Sequence, residues 1–301
     1  MHCGKSDPDP PQISSTSDVT PAGHSRDRDK KNVLLVIAHP DDESMFFSPT
    51  INYLTSRRHN LHILCISNGN ADGMGNIRKD ELHRACAVLK IPLEQVKVLD
   101  LVDFQDGFDK LWNHKSLAKI VEEEVVNCSI DSIITFDNYG VSGHCNHRDV
   151  HHGIWSYLNG TSERNIEAWE LVSLFCLSLS SVFISCLLGN PSVLLFFKLE
   201  YLELLVVTDI HSEWAGLFLL FFSSQMTTNI LRKYSGPLDI WLSILSAMQY
   251  RRGQVHCLLN GYPKKSFLAM SQHRSQWVWF RKLFVSFSSY TYVNTLKKFN
   301  D

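Results

Sequence analysis

The sequence predicts an α/β fold: a Rossmann-like, mostly parallel sheet flanked by helices, with an apolar insert near 174–228. Three observations predict it. An apolar, β-branched run, Val33-Leu34-Leu35-Val36-Ile37-Ala38, ends abruptly at His39-Pro40-Asp41-Asp42-Glu43. Strand and helix patterns then alternate to about Gly160. The ligand-type side chains fall where a first strand hands over to a helix, the carboxyl edge at which open α/β sheets place their chemistry.

The elements follow in order. Strands are expected at Val33–Ala38, Leu61–Ser67, Val96–Leu101 and Ser132–Phe136, where apolar and β-branched residues dominate. Helices are expected at Glu43–Arg57, Asn76–Leu89, Lys115–Asn127 and Asn146–Leu158, with Pro92 a stop shortly after the second. Four β-α units in this order imply parallel strands covered on both faces. Leu171 to Phe197 then carries no Asp, Glu, Lys or Arg, and a second apolar run covers Ala215–Phe222. The first run passes the length test for a membrane span, but Gly189-Asn190-Pro191 interrupts it. We read 174–228 as an insert in a domain covering 32–297; a membrane-associated hairpin and a buried strand-helix segment are the other readings. Asp239–Leu245 and Gln254–Leu259 suit strands or short helices. Pro263 to Phe287 reads as a helical stretch rich in Lys, Arg and aromatic residues, suited to a membrane interface or to core packing. Residues 1–31, rich in Pro, Ser, Asp and Arg, read as a disordered tail with no signal-peptide core.

Composition narrows the function. A chain of 301 residues can bury a sizeable core. Its formal net charge of −2 and the lack of a long basic block argue against a nucleic-acid partner. The eight cysteines are scattered, with no CxxC pair, which fits reduced thiols and not a disulfide framework. Nucleotide binding is excluded by the first strand-to-helix turn, which holds acids that would repel a pyrophosphate.

The residues point to a metal-dependent hydrolase. Zinc in hydrolases takes three protein ligands and keeps a position for water. His39 and Asp42 supply two ligands from one turn. The third is expected from Gly143-His144-Cys145-Asn146-His147, which follows the strand Ser132–Phe136. We assign the metal to His39, Asp42 and His147 and leave His144 off it. Asp41 would take a proton from the zinc-bound water, and His144 would polarise the carbonyl and protonate the leaving amine. Both services are needed because an unactivated amide must receive hydroxide and release a protonated nitrogen.

Taken together, Ala38-His39-Pro40-Asp41-Asp42-Glu43 and Gly143-His144-Cys145-Asn146-His147 resemble the LmbE-like zinc deacetylases. The likeness is strongest to their eukaryotic branch, the N-acetylglucosaminyl-phosphatidylinositol de-N-acetylases. Met45-Phe46-Phe47-Ser48-Pro49-Thr50, Gly140-Val141-Ser142-Gly143-His144 and, late in the chain, His273-Arg274-Ser275-Gln276 with Trp279-Phe280-Arg281 carry the narrower match. The resemblance implies removal of acetyl from a membrane glycolipid in the second step of GPI-anchor synthesis, with Zn2+ or another divalent metal. It places the protein on the cytosolic face of the endoplasmic reticulum membrane, or in the cytosol if nothing replaces the family's N-terminal anchor helix. It also implies that Arg78 meets the substrate phosphate, with a solvated helix face as the other reading, and His273 is read as lining the mouth of the site or as a core or surface histidine. A deacetylase of a soluble GlcNAc conjugate and an inactive membrane-associated isoform are the alternatives. Three departures from the family stand out: the polar tail where an anchor helix is usual, the apolar stretch, and Asn146 where many bacterial relatives carry Asp.

Overall fold

In the computed structural model, the structure describes residues 30–108, 110–160, 166–173, 232–248, 250–251 and 253–299. The polar tail before Lys30 and the apolar segment 174–228 lie outside the described residues. So do both bounds drawn for the insert, 174 and 228.

The chain runs β1 (Asn32–Ile37), α1 (Asp42–Met45), α2 (Ser48–Ser56), β2 (Asn60–Cys65), α3 (Gly75–Leu89), β3 (Val96–Val98), α4 (His114–Asn127), β4 (Ser132–Phe136), α5 (Gly140–Gly143), α6 (Cys145–Gly160) and β5 (Glu167–Leu171). After the apolar segment come α7 (Asp239–Ala247), β6 (Val255–Leu259), α8 (Pro263–Met270), α9 (Trp279–Phe287) and β7 (Val293–Lys298). The strands form one seven-stranded sheet in the order β3-β2-β1-β4-β5-β7-β6. The first five are mutually parallel; β7 runs antiparallel to β5, and β6 antiparallel to β7. The sheet is thus mostly parallel, as expected, with an antiparallel edge built by the C-terminal part of the chain.

Continuous apolar runs become the central strands because helices cover both faces there. Leu34, Val36 and Ile37 of β1 are fully buried, as are Ile133 and Phe136 of β4. Toward the edge the pattern loosens: β5 reads Glu167-Ala168-Trp169-Glu170-Leu171, with Ala168 and Leu171 buried and the acids only partly so. This mixed pattern left β5 unrecognised in the sequence, and β7 likewise, since neither carries a long apolar run.

The expected helix Glu43–Arg57 is two helices. The break at Phe46-Phe47 turns both rings into the core, where each meets Phe136 edge-on with centroids 6.2 and 5.1 Å away. The expected helical stretch Pro263–Phe287 is likewise two helices, parted by a tight turn at Arg274–Gln276. Glu81 enforces that turn by accepting the Ser275 N–H and Oγ–H at 2.8 and 2.6 Å. The strand expected over Val96–Leu101 stops at Val98. Among the described residues Cys65, Cys86, Cys128, Cys145 and Cys257 are free thiols, in keeping with the reduced state read from their spacing.

Glu170 on β5 makes a stability prediction. Burial first, then the neighbouring Asp137 carboxylate, raises its pKa to about 7, against the pull of Lys297. Lys297 Nζ lies 3.7 Å from Oε1, and His151 Nδ1, which is bonded to the Phe136 carbonyl, lies 3.6 Å from Oε2. A folded-state pKa above the unfolded one means stability present below the unfolded value and lost as pH rises through the folded value. Glu170→Gln removes that loss. The variant's advantage in melting temperature should therefore widen between about pH 5 and about pH 8, by a free energy on the order of 3 kcal/mol. A constant offset across this range would show that Glu170 titrates normally.

Candidate metal centre and active site

β1 and β4 are neighbours whose chains leave the sheet in opposite directions to find β2 and β5, so their carboxyl ends open a crevice. His39, Asp41 and Asp42 leave β1 there, and α5 and the start of α6 bring His144 and His147 from β4. Both motifs therefore reach one point.

Hydrogen bonds orient the putting together of this site atom by atom. The Ala38 and His39 N–H groups donate to Asp42 Oδ2 at 3.1 and 2.8 Å, and Asp42 Oδ1 lies 3.1 Å from His147 Nε2. His147 Nδ1 sits 3.0 Å from the Gly140 carbonyl, which can only accept, so Nδ1 carries a proton and Nε2 is the nitrogen turned to Asp42. His39 Nε2 lies 3.0 Å from Asp106 Oδ1 and 3.1 Å from Asn146 Oδ1, both acceptors, which leaves Nδ1 as the nitrogen turned to Asp42, 3.9 Å from its Oδ2. Two ring nitrogens thus face one carboxylate in a buried site. Burial alone would raise the Asp42 pKa, yet His147 and His39 hold it well below the usual carboxylate range. A divalent cation fits this donor set. Two imidazole nitrogens and a carboxylate are the N and O donors that zinc takes, with His147 Nε2 3.1 Å from Asp42 Oδ1 and His39 Nδ1 3.9 Å from Oδ2.

His144 differs. It is half-buried, and one nitrogen each of His39, His144 and His147 lie within 4.8 Å of one another, so a three-histidine set is the rival ligand arrangement. Its Nδ1, however, accepts the Asn146 N–H at 3.2 Å, which puts the proton of the neutral ring on Nε2. Burial, reinforced by the nearby His39 and His147, lowers its pKa to about 4. A neutral ring with an N–H is a hydrogen-bond donor, a role suited to a substrate oxygen.

Asp41 is held in an unusual backbone conformation, with φ at +116°. Its N–H donates to Glu43 Oε2 at 3.0 Å. Arg281 Nη1 donates to Asp41 Oδ2, and Arg78 Nη2 lies 3.6 Å from Oδ1. Arg78 is buried among protein acceptors: its Nη1 donates to Gly69 O and Asp106 Oδ2 at 3.0 and 3.2 Å, and its Nη2 to Pro40 O at 2.9 Å. Most of its donor capacity is thereby spent on the walls of the site. His273, expected at the mouth, is fully buried, with Nε2 at 2.7 Å from Glu43 Oε1. It braces Glu43, and through it the Asp41 backbone, and does not meet solvent.

The loop bearing His144 and His147 is clamped from β5. Asp137 Oδ1 accepts the Gly140 N–H at 3.0 Å and the Ser173 hydroxyl at 2.6 Å, while Oδ2 accepts the Ser173 N–H at 2.6 Å. Ser173 Oγ in turn accepts the Val141 N–H at 2.9 Å. This holds Val141 at a φ of +62°, costly for a β-branched residue. Gly140 has no substitute here: a Cβ would stand 2.7 Å from His147 Cβ. Ser173→Ala should cost about 1–3 kcal/mol of stability and weaken metal binding roughly tenfold to a hundredfold. Ser173→Thr should restore most of both in chelator titrations; an unchanged metal affinity in Ser173→Ala would show that the clamp is dispensable.

Asp106, Arg281, Ser173 and the Glu43–His273 pair were not assigned these roles from the sequence. Asp106 had a signal, since it lies on a loop after a strand at the active edge. Arg281 had none, being hidden in the aromatic-rich helical pattern.

The GlcNAc-PI de-N-acetylase (PIG-L) family pattern matches residues 34–158, which span both motifs. A probable N-acetylglucosaminyl-phosphatidylinositol de-N-acetylase of Dictyostelium discoideum is 34% identical over 267 residues, covering 89% of this chain and 93% of the relative. This chain belongs to the GlcNAc-PI de-N-acetylase family. The family's Bos taurus N-acetylglucosaminyl-phosphatidylinositol de-N-acetylase is 34% identical over 276 residues, covering 92% of this chain and 84% of its own. The fold of this family member is shared with solved deacetylase structures. The A40926 pseudoaglycone deacetylase matches with a TM-score of 0.51 at 10% identity, covering 90% of this chain and 98% of its own. A zinc-inhibited form of teicoplanin deacetylase matches at 0.50 and 11%, covering 89% and 97%.

Proposed function

We propose that this chain removes the acetyl group from N-acetylglucosaminyl-phosphatidylinositol, with zinc held by His39, Asp42 and His147. The observation that carries the reading is the pair of ring nitrogens, His39 Nδ1 and His147 Nε2, turned to the Asp42 carboxylate beside Asp41. The names and extent of the full-length relatives support the substrate. A divalent metal bound at such a site supplies Lewis acidity and brings the pKa of a coordinated water to about 7.

The protein's own groups do the rest. Asp41 accepts the proton that water loses as its oxygen attacks the acetyl carbonyl carbon. His144 donates from Nε2 to the carbonyl oxygen as negative charge develops on it. The C–N bond then breaks, the nitrogen taking the proton held by Asp41, to give the amine and acetic acid, whose carboxyl proton passes to the amine or to solvent. The burial of Asp41, Asp42, His39 and His147 keeps these charges in a weakly screening environment.

The membrane glycolipid substrate also supports the location inferred from the resemblance, the cytosolic face of the endoplasmic reticulum. No helix among the described residues is long and apolar enough to cross a membrane. The test is acetate release from the lipid-linked substrate by the full-length chain with one equivalent of zinc. Turnover of a soluble GlcNAc conjugate alone would replace the substrate, and zinc binding without turnover of either would leave an inactive isoform.

A further inference from the structure

We infer that α9 and the segment leading into it form a docking face for an anionic phospholipid surface, placed at the rim of the catalytic site; this rests on the membrane-glycolipid reading above. α9 has two unlike faces. Inward, Phe284 and Val285 are buried, Phe284 meets Phe46 edge-on at 5.6 Å, and Arg281 reaches Asp41. Outward, Trp279 is 72% exposed and Phe287 57%, with Phe280 and Leu283 exposed between them. Residues 279, 283 and 287 recur at one-turn spacing, so these side chains make a stripe. Trp and Phe on the apolar side of a surface helix are the residues that settle at a headgroup boundary.

Charge selects the occupant. From Pro263 to Phe287 the chain carries Lys264, Lys265, Arg274, Arg281 and Lys282 and no Asp or Glu. Lys264, Arg274 and Lys282 are exposed, close in sequence to the exposed Phe267, Leu268 and Val278. Gly236 lies close to the Phe287 carbonyl, and α7 and the residues flanking it expose Leu238, Trp241, Leu245 and Met248. The chain's own apolar run Leu171–Phe197 has no charged residue, and the four acids after it, Glu200, Glu203, Asp209 and Glu213, do not outnumber the five cations. Lipid phosphates neutralise the cations, while the acyl boundary takes the rings. Because Arg281 and the stripe sit on one helix, seating the stripe brings the reacting end of the site to the headgroup layer.

The experiment uses the full-length chain and sedimentation with vesicles of phosphatidylcholine, alone or with phosphatidylinositol. The parent should bind the anionic vesicles more tightly, and the Trp279→Ser/Phe287→Ser variant should lose about tenfold or more of that affinity. A Lys264→Glu/Lys282→Glu variant, which leaves the rings in place, should lose the preference for anionic lipid. Acetate release from vesicle-embedded substrate should fall in parallel, while a short-chain, water-soluble analogue is turned over as by the parent. Unchanged vesicle binding in both variants overturns the inference. So does a Trp279→Ser/Phe287→Ser variant that melts early or changes oligomeric state with vesicle binding intact, since the stripe is then covered by protein. No acetate from any substrate would sink the proposed activity, whereas the vesicle-binding arm would still judge the surface.

Discussion

Asp41→Asn should slow acetate release by roughly a hundredfold to ten-thousandfold while the protein keeps its metal. The substitution preserves size and suits the left-handed backbone that Asp41 occupies at a φ of +116°. It removes the ability to take a proton and leaves the His39, Asp42 and His147 donors as they are. Arg281 and Arg78 lose their anionic partner, so some loss of stability is expected as well. Measuring kcat alongside metal content separates the effects. A rate within a few-fold of the parent at full metal occupancy would show that another group takes the proton.

Asp42→Ala should empty the site of metal and abolish turnover. Asp42 Oδ1 faces His147 Nε2, and Oδ2 is the acceptor for two buried N–H groups, those of Ala38 and His39. Without it both donors lose their partner at a cost of about 1–3 kcal/mol each, and the turn that presents His39 loosens. The companion is His144→Ala, expected to keep its metal and lose rate, as a donor to the substrate oxygen would. The rival set of three histidines makes the opposite forecast, with metal retained in Asp42→Ala and lost in His144→Ala. Metal analysis of the two purified variants decides between them.

Much of the site was legible because it is local. His39, Asp41 and Asp42 lie within one turn of a strand end, and His144 and His147 within one turn of a helix start, so each motif's spacing implies a shared direction. The parallel core was legible for a similar reason, since strands buried on both faces read as unbroken apolar runs. β5 and β7 were not, because both mix apolar with charged or polar residues. The break at Phe46-Phe47 escaped notice because a helical periodicity continues across it.

The sequence by itself determined the α/β class and the two motifs, since these depend on residue types and short-range periodicity. Only the tertiary structure decided what each side chain faces. It put His273 on Glu43, 230 residues away, in the core, and Arg281 on Asp41 across 240 residues. It also spent Arg78 on the Gly69 and Pro40 carbonyls. A buried charge must find a partner wherever the packed chain supplies one, and that partner's place in the sequence is set by topology, which no local pattern records.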